Sequence, residues 1–424
     1  MHPVLEAAFS ELDRAQVRWC LLRRPESLTA PPGDVDLLVD RRDRDRLQPA
    51  LERAGLVLVP VPDVAREMVF VGYDVPSDSW LVLELVTELS FGRHLRYPTR
   101  AEAGCLDRRQ RQGPLVLLST DDAFWSLVLH CLLEKSTLRA HHRQQLRDLG
   151  PAAVADGPLA QVVGRACPAG WDAPGVLRCI ERGDWHRLER LGPQFKRSWR
   201  RRHPLEGARA SGRWVLMLLQ QPGVLVRRRG LAVALVGPNG VGKSTLARGL
   251  SDAFPLPSRV LYMGLWKERH GRSFRWLSPA LAVLARPGRV WSLFLQAQYH
   301  QLQGRLVVYD RYVYDALLPP KPPLRRLKAV YFWLLAHACP APDMVIGLEA
   351  PSAVAYARKG ENSPAEQERE RLAYAGLVGR VRRLLVVDAT GSRAQVRAAV
   401  QSLLWQRYAA RWAGRRRENS GGSG

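Results

Sequence analysis

"LAVALVGPNGVGKSTLARGL", residues 231–250, decides how the second half of the chain is read. The apolar run Leu231–Val236 has the length of a buried strand and passes directly into glycines at 237, 240 and 242. Gly237, four residues, Gly242, Lys243 and Ser244 fit G-x-x-x-x-G-K-[ST], with a strand before the loop and a helical pattern after it. Such a loop turns successive backbone N–H groups inward, and the positive end of the following helix adds to their field. It holds phosphate. The expected nucleotide-binding residues are Gly237, Asn239, Gly240, Val241, Gly242, Lys243, Ser244 and Thr245. Lys243 would reach the β- and γ-phosphates, and Ser244 would ligate Mg²⁺.

Working outward, five apolar strands are expected: "LAVALVG", "SRVLYMG", "RLVVYD", "DMVIGLEA" and "RLLVVDA". Helical stretches between them predict an α/β unit, a parallel sheet with helices on both faces. The third strand ends in Asp310-Arg311-Tyr312. An acid at a strand's carboxyl end beside a phosphate loop suits Mg²⁺ or its water, and Arg311 suits a bidentate clamp on an anionic acceptor. A strand-end salt bridge is the plainer alternative. In "PDMVIGLEAPSAVAYARKGENSPAEQERERLAY", Arg358-Lys359-Gly360 opens a charged loop. Cations there would neutralise charge during transfer and shut out water; a solvated helix end is the alternative.

Residues 231–405 resemble the thymidylate kinase family and its P-loop nucleotide-kinase relatives. The resemblance rests on the phosphate loop, Asp310-Arg311-Tyr312, Pro342-Asp343 opening the strand that ends "LEAP", the Arg358 region and "LFLQAQYHQL" (293–302). It implies a P-loop NTPase fold with ATP and Mg²⁺ as cofactors and Lys243, Asp310, Arg311 and Arg358 as catalytic residues. Arg311 would contact the acceptor phosphate, Asp310 would support the metal or the acceptor, and Arg358 would be a lid arginine. No Leu-Ser-Gly-Gly signature and no Asn-Lys-x-Asp occurs, which favours a kinase over a transporter-type ATPase or a switch GTPase. The acceptor side departs from the family at "YMGLWKERHGRS", at Ala297-Gln298 and around "YVYDALLPP". The donor half is kept and the acceptor half has changed.

Residues 1–115 alternate short β-like runs, "VRWCLL", "DVDLLV", "LVLVPV" and "WLVLELV", with a charged helix "DRDRLQPALERAG" between the second and third. Asp34 and Asp36 share one face of a strand, and Glu84 sits between leucines on another. Together they could hold two Mg²⁺ ions. Residues 15–100 resemble the polymerase-β-type nucleotidyltransferase superfamily, which implies an α+β domain and a metal site at Asp34, Asp36 and Glu84. Its Gly-Ser position reads "LLRRPESLTAPP", with Arg23, Arg24 and Ser27. Three readings stay open: an active site, a domain that only binds acceptor, and solvated strand acids. Residues 116–228 predict a helical connector, opened by a cap at Ser119 or Thr120 and carrying the apolar "RWVLMLLQQPGVLV" between basic runs. His141-His142 reads as a surface pair. The P-loop domain is expected over 229–414 and a flexible tail over 415–424.

Across 424 residues, 64 Lys+Arg against 40 Asp+Glu give a net charge of +24, which attracts anions without choosing among them. No nucleic-acid signature accompanies it, so a nucleic-acid partner is not favoured. Six cysteines without C-x-x-C pairing point to a reducing compartment, and no apolar run reaches the roughly 18 residues of a membrane span. With acidic residues near the start and no signal-peptide core, the expected location is the cytoplasm. The chemistry expected is ATP- and Mg²⁺-dependent transfer of a γ-phosphate to a small anionic acceptor such as a nucleotide or phosphosugar. The alternatives are a bifunctional kinase and nucleotidyltransferase, and an ATP-switched nucleic-acid or membrane-surface binding module. A homodimer is left open.

Overall fold

The computed structural model describes residues 1–23, 27–31, 33–59, 68–92, 97–135, 137–206, 212, 230–264, 279–319, 325–337, 339–359 and 363–420. Arg24, the apolar stretch 213–226, residues 265–273 of "YMGLWKERHGRS" and Gly360 lie outside them. The chain divides into two compact units, Met1–Pro222 and Gly223–Gly424.

The first unit opens with α1 (Pro3–Arg14), which starts on proline and buries Leu5, Ala8, Phe9 and Leu12 at helical spacing. β1 (Trp19–Leu21) and β2 (Asp34–Val39) follow, then α2 (Arg44–Arg53), β3 (Val57–Val59), β4 (Met68–Asp74) and β5 (Ser79–Val86). A two-stranded ribbon, β6 (Ser90–Phe91) and β7 (Tyr97–Pro98), leads to α3 (Glu102–Asp107), β8 (Gln110–Gln112) and β9 (Leu115–Leu117). Seven of these strands form one mixed sheet in the order β3-β4-β5-β2-β1-β9-β8. Strand β4 was not among the expected runs. Met68–Tyr73 are buried without alternation, so no period-2 pattern marks them.

Helices α4 (Thr120–Glu134), α5 (Ala140–Leu149), α6 (Pro158–Ala166), α7 (Ala173–Glu181) and α8 (Trp185–Arg202) complete this unit. Ser119 caps α4 by accepting from the Asp122 N–H, as its position suggests. α8 turns Trp185, Leu188, Leu191, Phe195 and Trp199 inward. One buried cluster runs from Leu5 to Trp199, so these helices share a core with the sheet. His142 corrects the surface reading of the histidine pair. It is 7% exposed and packs against His130 and His141, with ring centroids 5.7 and 4.0 Å away. Burial pushes its imidazole down to about 4, with His141 adding to the effect.

The second unit is α/β, with five strands in a parallel sheet. Its elements are β10 (Ala232–Val236), α9 (Lys243–Ala253), β11 (Ser258–Tyr262), α10 (Pro279–Leu302), β12 (Leu306–Asp310), α11 (Arg325–His337), β13 (Met344–Glu349), α12 (Ser352–Lys359), α13 (Pro364–Ala375), β14 (Leu384–Asp388) and α14 (Arg393–Ser420). The order is β11-β12-β10-β13-β14, with every neighbour parallel. β10 and β12 are buried at all five positions each, as centre strands covered on both faces should be. α14 runs on to Ser420, past the start of the expected tail at 415, because Arg415-Arg416-Arg417-Glu418 are good helix formers. Among the described residues, no helix is long and apolar enough to cross a membrane.

Candidate active site

The site lies where β10 ends and α9 begins. Gly237 leaves the strand at φ +146°, and a Cβ there would stand 2.5 Å from the Leu348 carbonyl oxygen of β13. Only glycine fits that approach. Gly242, at φ +104°, is the N-cap of α9 and gives the helix no side-chain cap. The first amides of α9 therefore keep their donor capacity for a ligand at the positive end of the helix.

Lys243 is the first residue of that helix and is 5% exposed. Its ammonium donates to the Gly237 and Pro238 carbonyls, each at 2.6 Å, and so bridges the loop from inside. Burial pushes its pKa down to about 7. Arg311 adds to that push, while Asp315, Glu370 and Asp310 oppose it. A cation in that position gains most from a polyanion that restores its charge.

Asp310 and Arg311 stand at the carboxyl end of β12, directly beside the loop strand. Leu235 of β10 pairs in register with Asp310, and the Arg311 N–H donates to the Leu235 carbonyl at 3.1 Å. Arg311 adopts φ +70°, a left-handed conformation that costs a non-glycine residue roughly 1–2 kcal/mol. The twist turns its guanidinium onto the loop, where it hydrogen-bonds the Asn239 side chain. On the other side Arg311 pairs with Asp315 at 3.2 Å, and the Asp315 side chain is 1% exposed. Tyr374 of α13 donates to the second Asp315 oxygen at 2.8 Å. Burial works against the Arg311 cation, yet Asp315 beside it holds its pKa above the ordinary arginine value.

Asp310 is 7% exposed, and its Oδ1 has no hydrogen-bond partner among the described residues. An orphaned buried carboxylate oxygen, together with the exposed Ser244 hydroxyl on the first turn of α9, is a hard-oxygen donor set that fits Mg²⁺.

Helix α13 closes the arrangement. Its capping box is complete: Ser363 accepts from the Glu366 N–H, and Glu366 accepts from the Ser363 N–H. Glu370, one turn before Tyr374, accepts from the Asn239 N–H at 3.0 Å. A carboxylate thus rests on a loop amide that suits phosphate. Arg371 pairs with Glu349 at 2.8 Å and Glu368 at 2.7 Å. Asp315, Glu370 and Tyr374 were not among the expected site residues. The signals were an acid three residues after Tyr312 and an acid-rich helix, both visible in sequence without their targets.

Arg358 rests against the turn that follows β14. Its guanidinium donates to the carbonyls of Ala389 at 2.9 Å, Thr390 at 3.3 Å and Gly391 at 3.4 Å, in the turn after β14. These main-chain acceptors hold it there. The Lys359 side chain lies outside the described residues. Ala297 and Gln298 lie on α10, Ala297 fully buried.

In the first unit β2 and β5 are parallel neighbours, with Asp36 in register with Glu84 and Asp34 with Val82. Asp34 is exposed; Asp36 and Glu84 are half-buried. All three engage other groups. Among the described residues, no group of three or more His, Cys, Asp or Glu could hold a metal ion. The strands bring Asp36 and Glu84 side by side, without assembling the three carboxylates into the metal site expected of them.

No protein-family model and no curated protein matches the chain. Among solved structures, the chain is similar to a thymidylate kinase from Candida albicans at 20% identity, over 43% of this chain and 93% of that one, with a TM-score of 0.35. It is also similar to a deoxyadenosine kinase from M. mycoides, solved with bound dATP, at 14% identity, over 41% of this chain and 98% of that one, with a TM-score of 0.30.

Proposed function

We propose that the second unit is an ATP- and Mg²⁺-dependent phosphotransferase that moves the γ-phosphate to a small anionic acceptor, of the nucleotide or phosphosugar class. The observation that carries this reading is the orientation of Arg311. Its guanidinium lies on the glycine loop, against Asn239, pinned from behind by Asp315. A guanidinium fixed beside the loop supplies a clamp that can present a second anion to the first; hydrolysis also uses such a cation, so acceptor dependence is what separates the two.

In this reading the amides of residues 240–245 and the α9 N-terminus bind the phosphates of ATP. Lys243 leaves the Gly237 and Pro238 carbonyls and takes its charge back against the β- and γ-phosphates. Ser244 and Asp310 hold Mg²⁺, which when bound neutralises charge on the phosphate oxygens. Arg311 orients the acceptor in line. Glu370 leaves the Asn239 amide as the terminal phosphate arrives, which couples α13 to occupancy. Positioning and electrostatics dominate such transfer, so no covalent enzyme intermediate is needed.

The test is ADP formation measured with and without each member of a panel of nucleotides, phosphosugars and other small anions. Turnover that rises at least about tenfold with one acceptor class supports transfer. Turnover indifferent to every acceptor would defeat it.

A second reading has its own support in the register of Asp36 with Glu84. In it the first unit binds or nucleotidylates the same acceptor. Asp36→Ala would then abolish a second activity, or weaken acceptor binding, while leaving ATP binding intact. An unchanged acceptor profile would remove this reading.

A further inference from the structure

Helix α5 begins without a cap. The side chain of Arg139, its N-cap, makes no capping hydrogen bond, whereas Ser119, Asp172 and Asp184 cap α4, α7 and α8. The amides of Ala140, His141 and His142, the first turn of this ten-residue helix, therefore keep their donor capacity. His142 is the third residue of that turn, a position from which a side chain reaches back to the helix start. It is buried, its ring lies 4.0 Å from that of His141, and its Nδ1 has no hydrogen-bond partner among the described residues. No acid stands in the first turn. Two carboxylates near the α4–α5 junction are engaged elsewhere. Glu134 pairs with His130 Nδ1 at 2.9 Å and accepts from the Gly92 N–H at 3.1 Å. Glu189 of α8 accepts from the Leu138 N–H at 2.8 Å and from Arg143 at 3.3 Å. Positive groups are left over. Burial, then His141, His130, Lys135 at the end of α4 and Arg23 beyond β1, hold the His142 imidazole down.

We infer that the N-terminus of α5 is a phosphate site, which takes the phosphate group of a small phosphomonoester or the free ion. Three features select this ligand. Open amides at the positive end of a helix donate to an anion, and the dipole adds to their field. A buried imidazole nitrogen without a partner donates to the same anion once protonated, and a bound dianion supplies the charge that favours the proton. Arg139, exposed at the N-cap, joins Arg23 and Lys135 as cations around one small volume. A phosphate presents two charges and several acceptor oxygens to these donors, where a carboxylate presents one charge and two oxygens. The site belongs to the first unit, and the inference does not depend on the phosphotransferase reading of the second.

The experiment is calorimetric titration of the full chain with inorganic phosphate, glucose 6-phosphate and acetate at fixed ionic strength, repeated on three variants. Phosphate and the sugar phosphate are expected to bind saturably and acetate is not. Arg139→Asp sets a carboxylate on the open amides. It should raise the thermal midpoint, as a new cap does, while phosphate affinity falls about tenfold or more. Ala140→Pro deletes one donor at the first helical position, where proline fits, and should cost about threefold in affinity. Arg139 before it is already extended, at φ −70° and ψ 157°, as a residue preceding proline should be. His142→Phe keeps a buried ring, removes its nitrogens and should also cost about threefold. The glycine loop of the second unit is the same in every variant, so the difference from wild type isolates this site. Tighter binding of glucose 6-phosphate assigns it to a phosphomonoester and tighter binding of inorganic phosphate to the free ion; either supports the inference. No saturable phosphate binding in wild type, acetate bound as tightly as phosphate, or wild-type affinity retained in Arg139→Asp would each overturn it.

Discussion

Lys243 offers a quantitative handle, because one side chain links stability to pH and, in the proposed reading, to nucleotide binding. Its ammonium sits inside the loop on two carbonyls, and burial lowers its pKa from the ordinary 10.5 to about 7. At about 1.4 kcal/mol per pKa unit, that drop corresponds to roughly 5 kcal/mol lost to confining the cation. The sign follows from proton counting. Below about pH 7 folded and unfolded chains both carry the proton, and the full penalty applies. Above about pH 10.5 neither carries it, and the penalty is gone. Between these limits the unfolded chain binds more protons, so stability rises with pH. Between pH 7 and 9 this group alone contributes a rise of about 2 kcal/mol. Lys243→Met has no such group, so urea denaturation at the two pH values is expected to show a pH slope smaller by that amount. The same logic applies to the ligand. A triphosphate that restores the charge takes up nearly one proton at pH 8, readable by calorimetry in buffers of different ionisation enthalpy. Identical pH slopes in wild type and Lys243→Met, together with nucleotide binding that takes up no proton, would refute the reasoning.

Other perturbations test other parts of the site. Gly237→Ala places a Cβ 2.5 Å from the Leu348 carbonyl at φ +146°, and should cost about 2 kcal/mol or more of stability in thermal unfolding and eliminate nucleotide binding. Asp315→Ala removes the buried partner of Arg311 and Tyr374. About 3 kcal/mol of stability should go with it, and acceptor KM should rise more than ATP KM, as steady-state kinetics would show. Glu370→Gln takes a negative charge off the Asn239 amide and should tighten ATP binding several-fold in a titration. Arg358→Ala frees the Ala389–Gly391 turn and should change nucleotide affinity more than the rate at saturation, the reverse of what a transfer-stabilising lid arginine would do.

Much of the second unit was legible in sequence because its signals are local. Glycines at fixed offsets, a strand of five buried residues before them and a helix after them are written in about twenty consecutive residues. Strand-end residues such as Asp310 and Arg311 follow from the same rule. What the sequence did not disclose is long-range. Glu370 meets Asn239 across 131 positions, and Tyr374 meets Asp315 across 59. No periodicity encodes such pairs. Arg358 likewise meets the Ala389 carbonyl across 31 positions, a contact no local pattern announces. In the first unit, Asp34 and Asp36 could be placed on one face from strand alternation. The register of Asp36 against Glu84 was decided only by which strands became neighbours. The histidine pair reads as surface in the absence of a metal-site setting, whereas His142 lies on the buried face of its helix with Leu146.

The central claim is geometric: the turn at 237–243 holds a nucleoside triphosphate, with Asp310 and Arg311 facing its terminal phosphate. A crystal structure of the full chain with Mg²⁺ and a non-hydrolysable ATP analogue measures that directly. The expected density has the phosphates on the amides of the turn, the Lys243 ammonium moved from the Gly237 and Pro238 carbonyls onto them, the metal between Ser244 and Asp310, and the Arg311 guanidinium on the γ-phosphate side. A nucleotide bound elsewhere, or Arg311 turned to the opposite side of the sheet, would contradict it.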